Sequence, residues 1–532
     1  MLLRKLKNKI KNMSKTSIVI TILVFIILLF MSTGYAVLNQ KLDIFGNSNI
    51  VIPEYKIYIS NVEVLNSSNG GYASTSATYT DNEVAIYTTL PSQNSSVTYE
   101  ITLNNIGESA AITDYIYVSN NNNSVKYKIK EINSKDVISK ISTKKVLVTV
   151  EPVENSTATN LESAIILNFS FLKYSDSYSN SCTLNWDGSS SNEPISTNIL
   201  GTTYYQISNA NEFKWFIDQV NGGNTGINVM LTNDICLNDK SFTSIGNSSA
   251  YTGIFDGQNR TISGISFSRN SELSSNSTYE IGLFKNNNGT IKNVNITGSY
   301  SDTHTTIARD NTTYIGGVVI NNSGVIENVA FSGSVNLNAT VRANCTPRGS
   351  SSTVYIGGIA ATNTGIIRGS QNKATFSLIG DTEKKTCNFY DRDVEIYAGG
   401  ITSTNSGYIV DSYNSASLSV SGDNESSSNT SNKAKLGGLI STNTNQIKNS
   451  YTYGSVTQSQ SGSDAFDYTI GAIATNSGSY SNVYYLSGSI TSSATGTSVS
   501  ATDLINLNIS IGDAFKRDSA SINNGYPILF WQ

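Results

Sequence analysis

The sequence contains few of the residues on which most enzyme chemistry depends. Its 532 residues include one histidine, four cysteines and six prolines, and only 14% are charged. A single histidine excludes a zinc peptidase of the HExxH type. A histidine-dependent triad would have to use His304, whose neighbours in SDTHTT supply no nucleophile motif, so we interpret His304 as an exposed loop residue. The Gly-Gly pairs open predicted strands rather than precede helices, so no phosphate-binding loop is predicted.

Charge is distributed unevenly along the chain. The formal net charge is −4, but the first 17 residues carry +6 with no acid, which leaves −10 on the remainder. An acidic body argues against a nucleic-acid partner.

The basic run precedes an apolar stretch, Ile18 to Met31, and then Gly34-Tyr35-Ala36. This order is typical of a secretory signal, with cleavage after Ala36. If uncleaved, the apolar segment continues to Leu38, and about 21 residues suffice to span a bilayer. Residues 1–38 are therefore predicted to be a signal peptide or a signal anchor. The rest is expected at the cell surface or outside the cell, with residues 18–38 as the anchor if they are retained.

Residues 50–175 alternate apolar and polar side chains in short runs separated by turns, as in YKIYISNVEV and VTYEITLNNIGE. Several short strands of this kind predict an antiparallel, immunoglobulin-like β-sandwich. Residues 176–203 are rich in Ser and Asn with few apolar residues, and we interpret them as a linker.

One short sequence motif, which we call the phrase, is repeated six times between about Ile281 and Ser487. We align the copies on one glycine each. An asparagine follows that glycine five residues later in every copy, and a turn glycine follows the asparagine two residues later in five of the six copies. The glycines are Gly282, Gly317, Gly358, Gly400, Gly438 and Gly471, and the asparagines are Asn287, Asn322, Asn363, Asn405, Asn443 and Asn476. The extra length of the longer copies always falls between phrases.

Apolar residues at spacing two predict short strands, and Asn-x-Gly predicts a tight turn. Repetition at a near-fixed period predicts a β-solenoid over residues 204–500, in which isoleucines fill the core and asparagines form ladders at the corners. A short helix after Asn209, ending at Gly222-Gly223, is predicted to cover the first coil. Residues 501–532 are dense in apolar side chains and are predicted to cap the last coil. The expected fold class is all-β.

The phrase resembles the GLUG motif of surface proteins from Gram-positive bacteria, in forms such as IGGVVINNSGVIENVAFSGSV (Ile315 to Val335). YTGIFDGQNRTISGISF (Tyr251 to Phe267) resembles the usual lead-in to such arrays, and INNGYPILFWQ resembles their usual end. Together these cover roughly residues 204 to 532. The resemblance implies a right-handed parallel β-helix at the cell surface, and it implies no single activity.

The cysteines allow two predictions in an exported protein. Cys345 and Cys387 lie 28 and 29 residues past Gly317 and Gly358, so stacked coils would bring them together as a disulfide. Cys182 and Cys236 either pair by default, or Cys236 is a buried core thiol.

Acidic side chains offer one candidate metal site. Asp391, Asp393 and Glu395 alternate along one predicted strand and would share its solvent face. One interpretation is calcium binding. The other is a solvated face balanced by nearby lysines and Arg392. No other cofactor and no catalytic residue is predicted.

We therefore predict an exported, non-enzymatic protein that acts in adhesion or matrix contact, with a host or matrix protein or a glycan as partner. The insertions at 336–354, 375–396 and 417–434 are the predicted contact surfaces. A polysaccharide-active lyase or hydrolase on the same scaffold is the first alternative, and a ligand-free structural spacer is the second. The predicted arrangement places the sandwich near the membrane or wall, with the solenoid projecting outward.

Overall fold

A computed structural model describes twelve stretches of the chain. They are residues 56–132, 136–153, 156–174, 186–199, 201–307, 309–342, 350–383, 392–424, 432–462, 466–476, 478–490 and 495–532. Among these residues, no helix is long and apolar enough to cross a membrane. The predicted signal or anchor segment, Ala36 included, lies outside them.

The N-terminal part is an antiparallel β-sandwich, as expected. Its strands are β1 (Ile57–Ser68), β2 (Tyr72–Ala73), β3 (Thr78–Tyr79), β4 (Glu83–Leu90), β5 (Ser96–Asn105), β6 (Ala111–Asn120), β7 (Val125–Lys130), β8 (Val137–Ile138), β9 (Ser142–Pro152) and β10 (Leu161–Lys173). One sheet has the order β1-β5-β9-β7, and the other has the order β2-β4-β10-β6-β8 with β3 on β4. The alternating residues Tyr99, Ile101 and Leu103 of β5 are buried in the core that the two sheets share. Each fully buried aliphatic side chain contributes roughly 1.5–3 kcal/mol.

The solenoid begins earlier than the sequence predicts. Its first elements are β11 (Ser196–Ile199), β12 (Thr202–Ile207), α1 (Ala210–Asn221), β13 (Val229–Leu231), β14 (Ile235–Cys236) and β15 (Ile254–Leu273). The described part of the predicted linker is therefore structured from Trp186 onward, because Trp186 is buried in the solenoid core and Ser196–Ile199 forms a strand. Residues 175–185 lie outside the described residues.

Helix α1 covers the first coil as predicted. The Asn209 side chain accepts a hydrogen bond from the Glu212 N–H at 3.1 Å and so caps the helix. The apolar face buries Phe213 and Phe216, whose rings meet Phe255 and Tyr251 of the coil below.

The repeats form stacked coils. The first three contain β16 (Ser277–Ile281), β17 (Phe284–Asn287) and β18 (Thr290–Thr306); β19 (Arg309–Gly316), β20 (Val319–Asn322) and β21 (Val325–Arg342); and β22 (Ser350–Gly357), β23 (Ala360–Asn363), β24 (Ile366–Arg368), β25 (Gln371–Asn372) and β26 (Thr375–Glu383). The others contain β27 (Arg392–Gly399), β28 (Thr402–Asn405), β29 (Tyr408–Val410), β30 (Tyr413–Asn414) and β31 (Leu418–Asn424); β32 (Lys433–Gly437), β33 (Ile440–Asn443), β34 (Gln446–Thr452) and β35 (Val456–Gly462); and β36 (Asp467–Gly471), β37 (Ser479–Leu486) and β38 (Thr497–Val499).

These strands pair in parallel with their counterparts in the next coil and form three sheets along the axis. A six-stranded sheet, β16-β19-β22-β27-β32-β36, and a five-stranded sheet, β17-β20-β23-β28-β33, face the long sheet that contains β15, β18, β21, β26 and β31. The parallel β-solenoid is confirmed. Its right-handed winding and the immunoglobulin-like topology of the sandwich stay predictions.

The predicted asparagine ladder is present and buried. Asn287 donates to the Oδ1 of Asn322 at 2.8 Å, Asn322 to Asn363 at 2.7 Å, and Asn363 to Asn405 at 2.7 Å. The first and last copies are one residue shorter than the others, so Gly282 and Gly471 occupy the place of the first glycine of the pair, not the second. The second glycine is required sterically, since a Cβ at Gly317 would lie 2.0 Å from the Gly358 carbonyl oxygen.

The C-terminal residues do not follow the predicted cap geometry. The segment 501–532 contains α2 (Ala501–Ile505), β39 (Phe515–Lys516) and β40 (Ile528–Leu529), and it packs against the stacked rings of Tyr413 and Tyr451 on the flank of the solenoid. The indole N–H of Trp531 donates to the carbonyl of Gly369, three coils before the last, at 2.7 Å.

Candidate functional site

The described parts of the predicted insertions continue the strands of the coils. β21, β26 and β31 run past the phrase and pair with one another residue by residue, as β22 and β27 do on the opposite sheet. The coils therefore extend into a second lobe, because a regular insertion can continue the parallel hydrogen bonds. Residues 343–349 and 384–391, which include Cys345, Cys387 and Asp391, lie outside the described residues, so the predicted Cys345–Cys387 disulfide stays a prediction.

His304 is not an exposed loop residue, and that expectation is wrong. It lies on β18, is 1% exposed, and faces Ser352 of β22 across the interior of the lobe. Its Nε2 is 2.8 Å from the Ser352 Oγ, and its Nδ1 is 3.1 Å from an Asp302 carboxylate oxygen. The sequence hides this contact because Ser352 stands 48 residues away, in another coil.

This Ser-His-Asp order resembles a catalytic triad, but its surroundings do not support one. Arg269 binds both oxygens of Asp302, at 2.6 and 2.7 Å, and one of its nitrogens also lies 3.0 Å from Nδ1 of His304. Burial alone would raise the pKa of Asp302, but His304 and Arg269 outweigh it and lower that pKa. All three triad-like side chains are at most 1% exposed, so we interpret the cluster as a polar core.

The candidate calcium ligands are only partly described. Glu395 lies on the outer face of β27, where it forms an ion pair with Lys433 and accepts a hydrogen bond from the Tyr397 hydroxyl at 2.8 Å. Within the described ranges, no group of three His, Cys, Asp or Glu residues is placed to hold a metal ion. Asp391 falls outside those ranges, so the site of Asp391, Asp393 and Glu395 is not tested as a whole.

Cys236 is disulfide-bonded, which excludes its interpretation as a buried thiol. The other three cysteines of the chain lie outside the described residues.

A row of tyrosines follows the outer face of the six-stranded sheet. Tyr314 and Tyr355 stack with ring centroids 5.0 Å apart and planes 11° apart, and Tyr355 and Tyr397 stack at 5.1 Å and 12°. All three are half-buried. Burial raises the pKa of the Tyr355 and Tyr397 hydroxyls, and the nearby Glu395 carboxylate raises both further. We call these three residues the tyrosine strip.

The sandwich packs against the flank of the solenoid. Its predicted position near the membrane or wall, with the solenoid projecting outward, stays a prediction. The described residues belong to one compact unit, Glu54–Gln532. Tyr117 of the sandwich meets Tyr204 edge to face at 5.3 Å, Arg260 of the solenoid pairs with Asp114, and Lys292 lies 3.3 Å from the Tyr127 hydroxyl.

Ion pairs dominate this contact on the edge strand β7. Lys128 lies 2.9 Å from Glu151, 2.9 Å from Asp513 of the C-terminal segment and 3.8 Å from Asp411 of the solenoid. Lys130 lies 3.3 Å from Asp513. Burial alone would lower the pKa of Lys128, but the three carboxylates outweigh it and raise that pKa above its usual value. Burial would raise the pKa of Asp513, but the two lysines lower it to about 2.

Sequence reasoning missed the solenoid corner to which this edge docks. Two residues after the core isoleucine of each coil, or after Tyr480 in the last, the backbone has positive φ at Asn293, Asn328, Gly369, Asp411, Asn449 and Asn482. Their side chains form a second ladder, in which Asn328 donates to Asn293 at 3.1 Å and Asn449 donates to Asp411 at 3.0 Å. The signal was available, because Asn, Asp and Gly are the residues that tolerate this conformation.

No protein-family model matches the chain, and comparison with curated proteins and with solved structures found no significant match. The resemblance to GLUG-motif surface proteins therefore stays a prediction that rests on the repeated phrase.

Proposed function

We propose that this chain is an exported cell-surface protein that makes non-catalytic, adhesive contact with a matrix glycan through its solenoid. The single observation that carries the proposal is the tyrosine strip. Its rings repeat at about the spacing of the coils, so they present a row of ring edges and hydroxyl groups along the axis. Aromatic residues with a polar tip suit surfaces that are partly apolar and partly hydrated, as sugar chains are.

The geometry favours an extended ligand over a small one. Stacked rings cover each other's faces, so the strip offers edges and hydroxyl groups rather than one open ring. A linear glycan that lies parallel to the axis could use several equivalent positions at once. Export and surface location are supported by the N-terminal sequence pattern alone.

The test is binding of the full chain to an array of linear glycans, with release of reducing ends measured in parallel. We expect binding without cleavage, and at least tenfold weaker binding by Tyr355→Ala, because Tyr355 is the central ring of the strip. Tyr79→Ala is the matched control, since Tyr79 is 45% exposed on the sandwich. Equal binding by Tyr355→Ala and the wild type would refute the proposal. Sugar release would favour the enzymatic alternative.

A further inference from the structure

A cavity of about 110 Å³ lies where the sandwich, the solenoid and the C-terminal segment meet. A single water needs about 10–15 Å³, so this space holds several waters or one small ring. Its walls come from β6 and β7, from the second corner of the solenoid, and from residues next to the C-terminus. It is separate from the tyrosine strip.

The solenoid wall is a row of side-chain amides: Gln258, Asn259, Asn293 and Asn328. Asn293 and Asn328 are occupied, because Asn293 donates to Asp256 and accepts from Asn328. Gln258 is only 3% exposed, yet its Nε2 has no hydrogen-bond partner among the described residues, and neither has the Oδ1 of Asn259. Leaving a buried donor or acceptor unpaired costs about 1–3 kcal/mol, so a ligand that reaches these two atoms with an acceptor and a donor would recover that cost.

The opposite wall is apolar and aromatic. Phe530 and Trp531 line it together with Ile116, Val118 and Leu529. The hydrogen bond from Trp531 to Gly369 fixes the indole, and the ammonium of Lys130 lies 4.4 Å from the centroid of the Phe530 ring. A ligand in the cavity would thus meet amides on one face and rigid rings on the other.

The charges around the cavity cancel. Four cations line it, and each has a carboxylate partner, with four carboxylates in all. The cations are Lys126, Lys128, Lys130 and Arg368, and the carboxylates are Glu151, Glu327, Asp411 and Asp513. A charged ligand would have to displace one of these pairs, whereas a neutral ligand would leave them intact.

We propose that this cavity binds a neutral, polyhydroxylated ring, that is, one uncharged sugar residue. Its hydroxyl groups would donate to Asn259 and accept from Gln258, and its C–H face would lie on the aromatic wall. The ligand is either a free monosaccharide or the terminal residue of a glycan, which share this chemistry. The proposal does not depend on the tyrosine strip.

The test is titration of the full chain with glucose, galactose, N-acetylglucosamine and glucuronate, followed by ligand-observed NMR. Short oligosaccharides of the sugar that binds would distinguish the two sources. We expect saturable binding of a neutral sugar, at least tenfold weaker in Gln258→Asn, which withdraws the amide while Asn tolerates the φ of 48°. Phe530→Leu, which removes the aromatic face, is expected to weaken binding as well.

Gln458→Asn is the matched control, because Gln458 is exposed on the far lobe, and it is expected to bind the sugar like the wild type. Weaker binding in Gln258→Asn with unchanged binding in Gln458→Asn assigns the sugar to the cavity, whatever the outcome at the tyrosine strip. Absence of saturable binding to any neutral sugar would mean that the cavity holds water only, and would overturn the proposal. Preference for glucuronate, or wild-type affinity in Gln258→Asn, would also overturn it.

Discussion

Replacing Lys128 by methionine tests whether ion pairs hold the sandwich against the solenoid. Methionine keeps most of the apolar stem and removes the charge that Glu151, Asp411 and Asp513 share. The Lys128 side chain is 19% exposed and that of Asp411 is 6% exposed, whereas that of Asp513 is 58% exposed. Removing one partner of a buried pair costs about 3–5 kcal/mol, and exposed pairs contribute about 0–1 kcal/mol. For this mixed case we expect a loss of about 2–4 kcal/mol.

The assay is urea unfolding of the full chain, followed by tryptophan fluorescence, because Trp531 lies at this contact. Asp411→Asn is the partner variant: asparagine suits the positive φ, continues the corner ladder and leaves Lys128 two carboxylates. We expect it to cost about 1 kcal/mol or less, and the double variant to lose about 1–3 kcal/mol less than the sum of the two single losses. Lys214→Met, at a lysine of α1 whose partner Asp218 is 47% exposed, should change the free energy of unfolding by about 0.5 kcal/mol or less. A shift below about 0.5 kcal/mol for Lys128→Met would refute the reasoning.

Three further outcomes are expected. The pKa of Asp513 is about 2 in the folded state and about 3.9 in the unfolded chain. The stabilisation by Asp513 is therefore present above about pH 4 and lost as the pH falls toward 2. The stability of Asp513→Asn should not show this loss between about pH 4 and about pH 2. Asn363→Ala should destabilise the solenoid by about 2–4 kcal/mol in denaturant, since it removes the ladder hydrogen bonds to the buried amides of both neighbouring coils. Ser352→Ala should cost about 1–3 kcal/mol by removing the partner of His304 and leave hydrolysis of nitrophenyl esters unchanged; a loss of hydrolysis would contradict the polar-core interpretation.

The fold followed from the sequence wherever the information was local or repeated. Alternation in strands such as β5 predicts the sandwich, and a phrase repeated in every coil predicts both the parallel pairing and the ladder through Asn363. The interior of the second lobe could not be predicted from the sequence. Tyr300, Asp302, His304 and Thr306 point inward at spacing two, but three of them are polar, so an apolar period could not reveal that face. Arg269 and Ser352, which satisfy this interior, come from other coils.

The docking of the sandwich could not be predicted because it joins residues far apart in sequence. Lys128 and Asp513 are separated by 385 positions, and no local pattern relates them. Lysines at alternate positions of β7 are an ordinary feature of an edge strand that is protected from aggregation by charge. Only the structure shows that the solenoid and the C-terminal segment cover this edge.

Departures from the repeat mark the place where the sandwich and the C-terminal segment dock. At the second corner, asparagine is the common residue, and the two exceptions inside the array are Gly369 and Asp411. Gly369 has no side chain, and its carbonyl accepts the Trp531 N–H. Because Gly369 contributes no side-chain amide, the ladder is interrupted there. Asp411 resumes the ladder as an acceptor for Asn449 and adds the charge that Lys128 meets. A corner of identical asparagines would stack as well but would offer neither the open carbonyl nor the carboxylate, so these two departures place the docked segments at particular coils of an otherwise uniform array.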